Sequence, residues 1–385
     1  MSDPSAPQPA SAEARKIRIA IVDDSIVVRG LFSRWLAEEA DIEIVGIHRN
    51  GLEALRNVGI AKPDVVLLDI EMPEMDGLTA LPLILQKSPG TRVLVVSSLS
   101  HRGADITLKC LMRGATDYLS KPSAMGSGET PAEFRQSLVA RIRAIGAPTP
   151  ARAAAVAAGA HPPGGAEAHG AGAAPRKKLS PEASAAVLKA AKTRPHLLLL
   201  GAATGGPQAV AALLDSLGPI IDEVPVVIAQ HMPAIFTQMF AAHLKRQLCV
   251  ESIEIEGGEV LKPGVIHVCA GGQNSLIRRS GADLTVLLQP GNGETRTLPS
   301  IDLLFASAAR EVGAGVVAIA LTGLGTDGAQ GALAVSSAGG VVMAQDQTSS
   351  VVWGIPGAVA RTGTCALIDD VQGLAEGVRL LFDHG

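Results

Sequence analysis

The chain has 385 residues, enough for two domain-sized cores rather than one. Hydrophobic residues supply 47% of it but aromatic residues only 2%, so its interiors must be built from Ala, Val, Leu and Ile, and with 42 glycines this favours α/β architecture. A net charge of −4 and a pI near 6.2 exclude a broadly basic binder of nucleic acid or anionic membrane, and no local basic patch stands out.

Residues 1–16 are rich in Pro, Ala and Ser and lack the basic and apolar stretches of a signal peptide, which reads as a flexible N-terminus. From 17 to 145 short aliphatic runs alternate with helical patterns. Ile17–Val22, Glu43–Ile47, Val65–Leu68, Val93–Val96 and Thr116–Leu119 are the expected strands. Five βα units imply a doubly wound, five-stranded parallel sheet of the flavodoxin-like kind. Residues 146–195 read as linker, since Ala, Pro and Gly supply 23 of the 29 residues from Ala147 to Pro175.

From 196 to 385 the alternation resumes, and a second doubly wound α/β domain is expected. Its strand candidates are His196–Leu200, Val224–Ala229, Val265–Cys269, Leu284–Leu288, Gly315–Leu321 and Val341–Ala344. Glu251 to Pro299 is richer in Gly turns and β-branched residues than in helix signals, suggesting a β-hairpin insertion. Aliphatic runs such as Leu197–Leu200 are far too short to span a membrane, so a soluble cytoplasmic protein without membrane insertion is expected. Cys110, Cys249, Cys269 and Cys365 have no C-x-x-C spacing and read as buried free thiols.

In the first domain Asp23 and Asp24 follow the first strand, Asp69 ends the third, Ser97 ends the fourth, and Lys121 follows the fifth. Strand ends of a doubly wound sheet open onto one crevice. Three carboxylates there would repel one another without a hard cation among them, and oxygen-only ligands suit Mg²⁺. Phosphoryl transfer needs positioning more than covalent chemistry. Asp69 can therefore be the nucleophile, while Mg²⁺, Lys121 and the Ser97 hydroxyl hold the phosphoryl oxygens. Taken singly, Asp24 and Ser25 read as a helix cap and Asp69 as a strand terminator. Their joint placement favours the functional reading.

The segments Ile21-Val-Asp-Asp-Ser, Leu68-Asp-Ile-Glu-Met-Pro-Glu-Met-Asp-Gly and Tyr118-Leu-Ser-Lys-Pro resemble the receiver domains of two-component response regulators across residues 17–122. The resemblance implies phosphorylation by a sensor histidine kinase. It also implies a switch in which Ser97 moves toward the phosphoryl group and the Tyr118 ring responds.

Three turns of the second domain follow expected strands: Gly201-Ala-Ala-Thr-Gly-Gly, Gln230-His-Met-Pro and Thr322-Gly-Leu-Gly-Thr-Asp-Gly. A glycine-flanked turn into a helix offers backbone N–H groups to an oxyanion, His231 suits a general base, and Asp327 suits the group that orients it. The attacking hydroxyl has no candidate. With Ser300-Ile-Asp-Leu-Leu-Phe-Ala-Ser-Ala-Ala, these turns resemble the catalytic domain of the chemotaxis protein-glutamate methylesterase (CheB) family. That resemblance implies a Ser-His-Asp hydrolase without a cofactor of its own. Its substrates would be glutamate γ-methyl esters, and particular glutamines, of methyl-accepting chemoreceptors. It implies His231 and Asp327 as two triad members, with the turn at Thr204 and the N–H near Leu324 serving the oxyanion.

Where the family has its serine, this chain has Ala203, so hydrolysis should be nearly absent. A deliberate silencing change, a natural loss and attack by Thr204 all remain open, the last disfavoured by the stiffness of a β-branched side chain on the turn. A rival reading is a module that binds receptors without hydrolysing them. Another is dinucleotide binding, since Gly323-Leu-Gly-Thr-Asp-Gly fits G-x-G-x-x-G with Asp346 eighteen residues beyond Gly328. Against it, Asp327 would meet the pyrophosphate, and the motif lies late in its domain. The domain order, together with the family resemblance, implies a receiver that covers the second crevice until Asp69 is phosphorylated.

Overall fold

The computed structural model describes residues 15–98, 100–121, 130–147, 177–291 and 297–383. The expected flexible N-terminus up to 14, most of the expected linker (148–176) and part of the hairpin stretch (292–296) lie outside the described residues.

The first domain runs β1 (Ile17–Val22), α1 (Ile26–Ala37), β2 (Ile42–His48), α2 (Gly51–Ala61), β3 (Val65–Asp69), α3 (Gly77–Lys87), β4 (Arg92–Ser97), α4 (His101–Met112), β5 (Asp117–Ser120) and α5 (Pro131–Gly146). Its five strands are all parallel, in the order β2-β1-β3-β4-β5. Helices cover both faces, so the central strand reads Val-Val-Leu-Leu-Asp and every residue of it is buried. Ile19, Ile21, Leu67 and Leu94 pack with Phe32, Trp35 and Phe134 from α1 and α5. Ala20, Val66 and Leu68 face the α2–α4 side. The helix starts carry local signals: Ser25 caps α1 through Val28 N, and Thr130 with Glu133 forms a capping box before Pro131.

Part of the stretch expected to be linker is helical. Ser180 caps α6 (Pro181–Ala190), with Pro181 in its first turn, and Val187 is fully buried. The second domain follows as β6 (Leu197–Ala202), α7 (Gly206–Leu217), β7 (Val226–Gln230), α8 (Ala234–Leu248), β8 (Glu251–Glu254), β9 (Val265–Val268), β10 (Gln273–Ser280), β11 (Asp283–Pro290), α9 (Ile301–Val312), β12 (Val316–Ala320), α10 (Ala329–Ser337), β13 (Val341–Gln345), α11 (Ile355–Arg361), β14 (Cys365–Asp369) and α12 (Val371–Asp383). Seven parallel strands form its sheet in the order β14-β13-β12-β6-β7-β9-β8. The chain starts at β6, winds one way through β7, and returns to β6's other side with β12. The switch point is therefore at β6, where ligand crevices form.

The expected hairpin is β10–β11, antiparallel and separate from the main sheet. The segment expected to be insertion also holds β8 and β9, which belong to the parallel sheet. Cys249 is exposed, unlike the buried Cys110 and Cys269, and ends α8 in the left-handed region. No described helix is long and apolar enough to cross a membrane.

Candidate functional site

Two crevices open at strand ends, one in each domain. In the first, an oxygen from each of Asp23, Asp24 and Asp69 lies within 4.8 Å of the others. Asp23 and Asp69 are buried, while Asp24 is exposed. The Lys121 ammonium sits between two of them, 2.8 Å from Asp23 Oδ2 and 2.8 Å from Asp69 Oδ2. Burial opposes its charge, but Asp69 and Asp23 outweigh that and hold its pKa above the ordinary lysine value. Burial pushes the Asp69 carboxyl up to about 6, with Lys121 pulling the other way. Asp69 Oδ1 accepts from Ile70 N. This all-oxygen donor set fits a hard divalent cation and leaves Asp69 beside an ammonium that can hold a phosphoryl oxygen.

The Ser97 hydroxyl pairs with Thr107 Oγ1 of α4 at 2.7 Å rather than with any group of the carboxylate cluster. The Tyr118 ring is buried and meets Phe236 of the second domain, centroid to centroid, at 4.5 Å.

In the second domain, register pairs Ala202 with Gln230, so Ala203 and His231 emerge side by side from β6 and β7. His231 N donates to Ala202 O and Ala203 N to Thr322 O, drawing the third turn, after β12, against the first. Gly205 enters α7 at φ +75, a conformation glycine adopts without strain. Gly323 passes so close that a Cβ there would lie 2.8 Å from Ala203 Cβ. The Ala203 carbonyl accepts from Gly206 N and from the buried Gln230 amide.

His231 Nε2 lies 2.9 Å from Asp327 Oδ2. Asp327 also accepts from Ile301 N, Asp302 N and Ser300 Oγ at the N-terminus of α9. Burial works against its charge, yet His231 and these donors hold its pKa below the usual carboxylate range. With Nε2–H given to Asp327, Nδ1 is left as the basic nitrogen of His231. Leu324, on the same turn as Asp327, is exposed. Asp346 caps its own turn through Ser349.

The first domain packs against this second crevice through α4 and β5. Thr204 Oγ1 donates to Asp117 Oδ2 at 2.8 Å, and Arg141 pairs with the same carboxylate. Gln208 of α7 donates to the carbonyls of Leu111 and Ala115. Val351 and Val352, in the loop after β13, join the apolar cluster built on α1 and α5. Ala203 is left 9% exposed and Thr204 4%.

Asp117, Gln208 and Asp302 are the site residues that sequence reasoning missed. Asp302 lay within the quoted Ser300-Ile-Asp segment and Asp117 stood next to Tyr118, but only the fold brings them to the crevice.

The sequence profile described as response regulator receiver domain matches residues 19–129, and that described as CheB methylesterase matches 198–378. A Bradyrhizobium diazoefficiens protein named protein-glutamate methylesterase/protein-glutamine glutaminase of group 2 operon is 42% identical over 383 residues, covering 97% of this chain and 96% of its own. A Nocardioides relative named protein-glutamate methylesterase/protein-glutamine glutaminase is 40% identical over 352 residues, covering 90% of each chain. The crystal structure of the Thermotoga maritima CheB methylesterase catalytic domain covers 49% of this chain and 98% of its own, at 28% identity and a TM-score of 0.46.

Proposed function

The chain belongs to the CheB family of response-regulator protein-glutamate methylesterases/protein-glutamine glutaminases, and we propose that its second domain is a hydrolase site for chemoreceptor glutamate γ-methyl esters, complete except for its nucleophile. The observation that carries this reading is the His231–Asp327 pair, which brackets Ala203 at the ends of three adjacent strands. A serine hydroxyl at 203 would give its proton to His231 Nδ1 and attack the ester carbonyl. The oxyanion would face the N–H groups of the Thr204 and Leu324 turns. His231 would then give that proton to the departing methoxide, releasing methanol, or to the departing amide nitrogen of a glutamine, releasing ammonia, and next take a proton from water attacking the acyl-enzyme. Alanine has no atom that can form that bond, so this chain hydrolyses little or nothing.

Methanol release from methylated receptor tests the reading, with the chain as it stands and with Ala203→Ser. Restoration by serine supports a site blocked at one atom. No activity in either chain sinks the triad.

In the receiver, Asp69 is the phosphorylation site, served by a sensor histidine kinase. Asp23, Asp24 and Asp69 would hold Mg²⁺, which neutralises the incoming phosphoryl charge. Lys121 steadies the phosphoryl oxygens, and the Ser97 hydroxyl would leave Thr107 to join it. Loss of the Ser97–Thr107 bond would loosen α4 and Tyr118, which both face the second domain, and so uncover the crevice. Ala203 favours a second reading, a phosphorylation-controlled binder of receptors that cuts none. Receptor capture that depends on Asp69 phosphorylation, with no gain from Ala203→Ser, would mark that alternative.

A further inference from the structure

We propose that Asp302 is a positioning residue for the His231–Asp327 pair, holding Asp327 toward the histidine through a ring of hydrogen bonds that ties the start of α9 to the start of α10. The inference rests on the reading of that pair as base and orienting acid.

Asp327 stands two residues before α10, one ahead of the cap position from which a side chain normally serves the first N–H groups. Its carboxylate reaches across to α9, taking Ile301 N at 2.8 Å and Asp302 N at 2.9 Å, and to His231 at 2.9 Å. Gly328, the cap position of α10, has no side chain for that role. Asp302 Oδ1 accepts from Gly331 N in the first turn of α10 at 2.7 Å and from Gly328 N at 2.9 Å, while Ala329 N goes to the Thr326 carbonyl.

The two helix starts thus exchange carboxylates. Because Gly328 is bonded to Asp327, the exchange closes a short ring: Asp302 N to the Asp327 carboxylate, along the chain to Gly328 N, and back to the Asp302 carboxylate. Rotation of Asp327 away from His231 must break its bond from Asp302 N and so open this ring. The charges agree with the assignment. Burial, with Asp327 close by, holds the Asp302 carboxyl above the ordinary range, whereas Asp327 is held below it, so as pH falls Asp302 takes up a proton before Asp327 does.

Asp302→Asn keeps an acceptor oxygen for both N–H groups, and Asp302→Ala keeps none. In the full chain, nitrogen-15 NMR of the His231 ring reports the Nε2-bound proton directly. Its exchange should quicken by about tenfold in Asp302→Ala and stay near the parent rate in Asp302→Asn. In an Ala203→Ser background, kcat for methanol release should fall on the order of a hundredfold in Asp302→Ala with KM little changed, and recover in Asp302→Asn. A ring proton as protected in Asp302→Ala as in the parent, even with a lowered melting temperature, would reduce Asp302 to an ordinary cap and overturn the proposal. If Asp302→Ala does not fold, Asp302→Glu carries the test. It keeps a carboxylate displaced by one methylene, and the same loss of ring-proton protection is expected. Should Ala203→Ser hydrolyse nothing, the hydrolase reading fails while the ring-proton comparison still decides the role of Asp302.

Discussion

Thr204→Val removes one buried hydroxyl and keeps the β-branched shape of the turn. That hydroxyl donates to Asp117 across the domain boundary, while the Thr204 carbonyl is held independently by Thr322 Oγ1 at 2.9 Å. The Asp117 carboxylate is not orphaned by the change, because Tyr118 N and Arg141 remain on it. The loss is therefore one charge-assisted hydrogen bond with its acceptor still served, which puts it at the low end of the measured range, about 1.5 kcal/mol. At 1.36 kcal/mol per factor of ten, the docked arrangement should open roughly tenfold more often. Hydrogen exchange reads this out at amides from the β5 and Thr204 turns, with β6 amides as the internal reference. Faster exchange confined to the contact is expected. Unchanged rates, or an equal rise in the β6 core, would refute the inference that this bond couples the domains.

Asp69→Asn should change the pH dependence of receiver stability. A carboxyl raised to about 6 in the folded chain, from 3.8, binds its proton more tightly folded than unfolded. Its contribution favours folding at low pH and is lost between about pH 4 and 6. That gap is worth at most about 3 kcal/mol, less what Lys121 loses with its partner. Native-state exchange of β3 amides should show the variant more stable at pH 7.5 and flatter from 4 to 6; an unchanged slope would count against the burial argument. Gly323→Ala forces a methyl to within 2.6 Å of Ile355 Cδ1 and 2.8 Å of Ala203 Cβ, an overpacking worth about 1–3 kcal/mol. Calorimetry should find a lowered melting temperature for the second domain, and an Ala203→Ser chain carrying it should be slower.

How much of this was legible in the sequence follows burial. The strands β1, β3, β4, β6, β7, β12 and β13 were expected within two residues at either end, because helices on both faces make their runs aliphatic throughout. The edge strands β8 and β14 were missed. They bury one side only, and Glu251, Glu254 and Asp369 break the pattern. β10 carries Arg278 and Arg279 for the same reason. The helix α6 hid inside an Ala-rich composition, though Ser180-Pro181-Glu182 is a start signal that the composition masked. The strand-end groups Asp23, Asp69, Lys121, Ala203 and His231 were nameable because α/β topology sends all such ends to one rim. Asp117 and Asp302 act across contacts between segments far apart in the chain, and no local spacing encodes those.

Every bond that holds Ala203 in place is made by its backbone, to Thr322, Gly206 and the Gln230 amide. The turn therefore holds its shape without a side-chain oxygen at 203. One base change can separate an alanine codon from a serine codon, so the two chains compared above can interconvert with no repair of the fold required in either direction. Selection can act on the grip of this site and on its cutting as separate heritable traits.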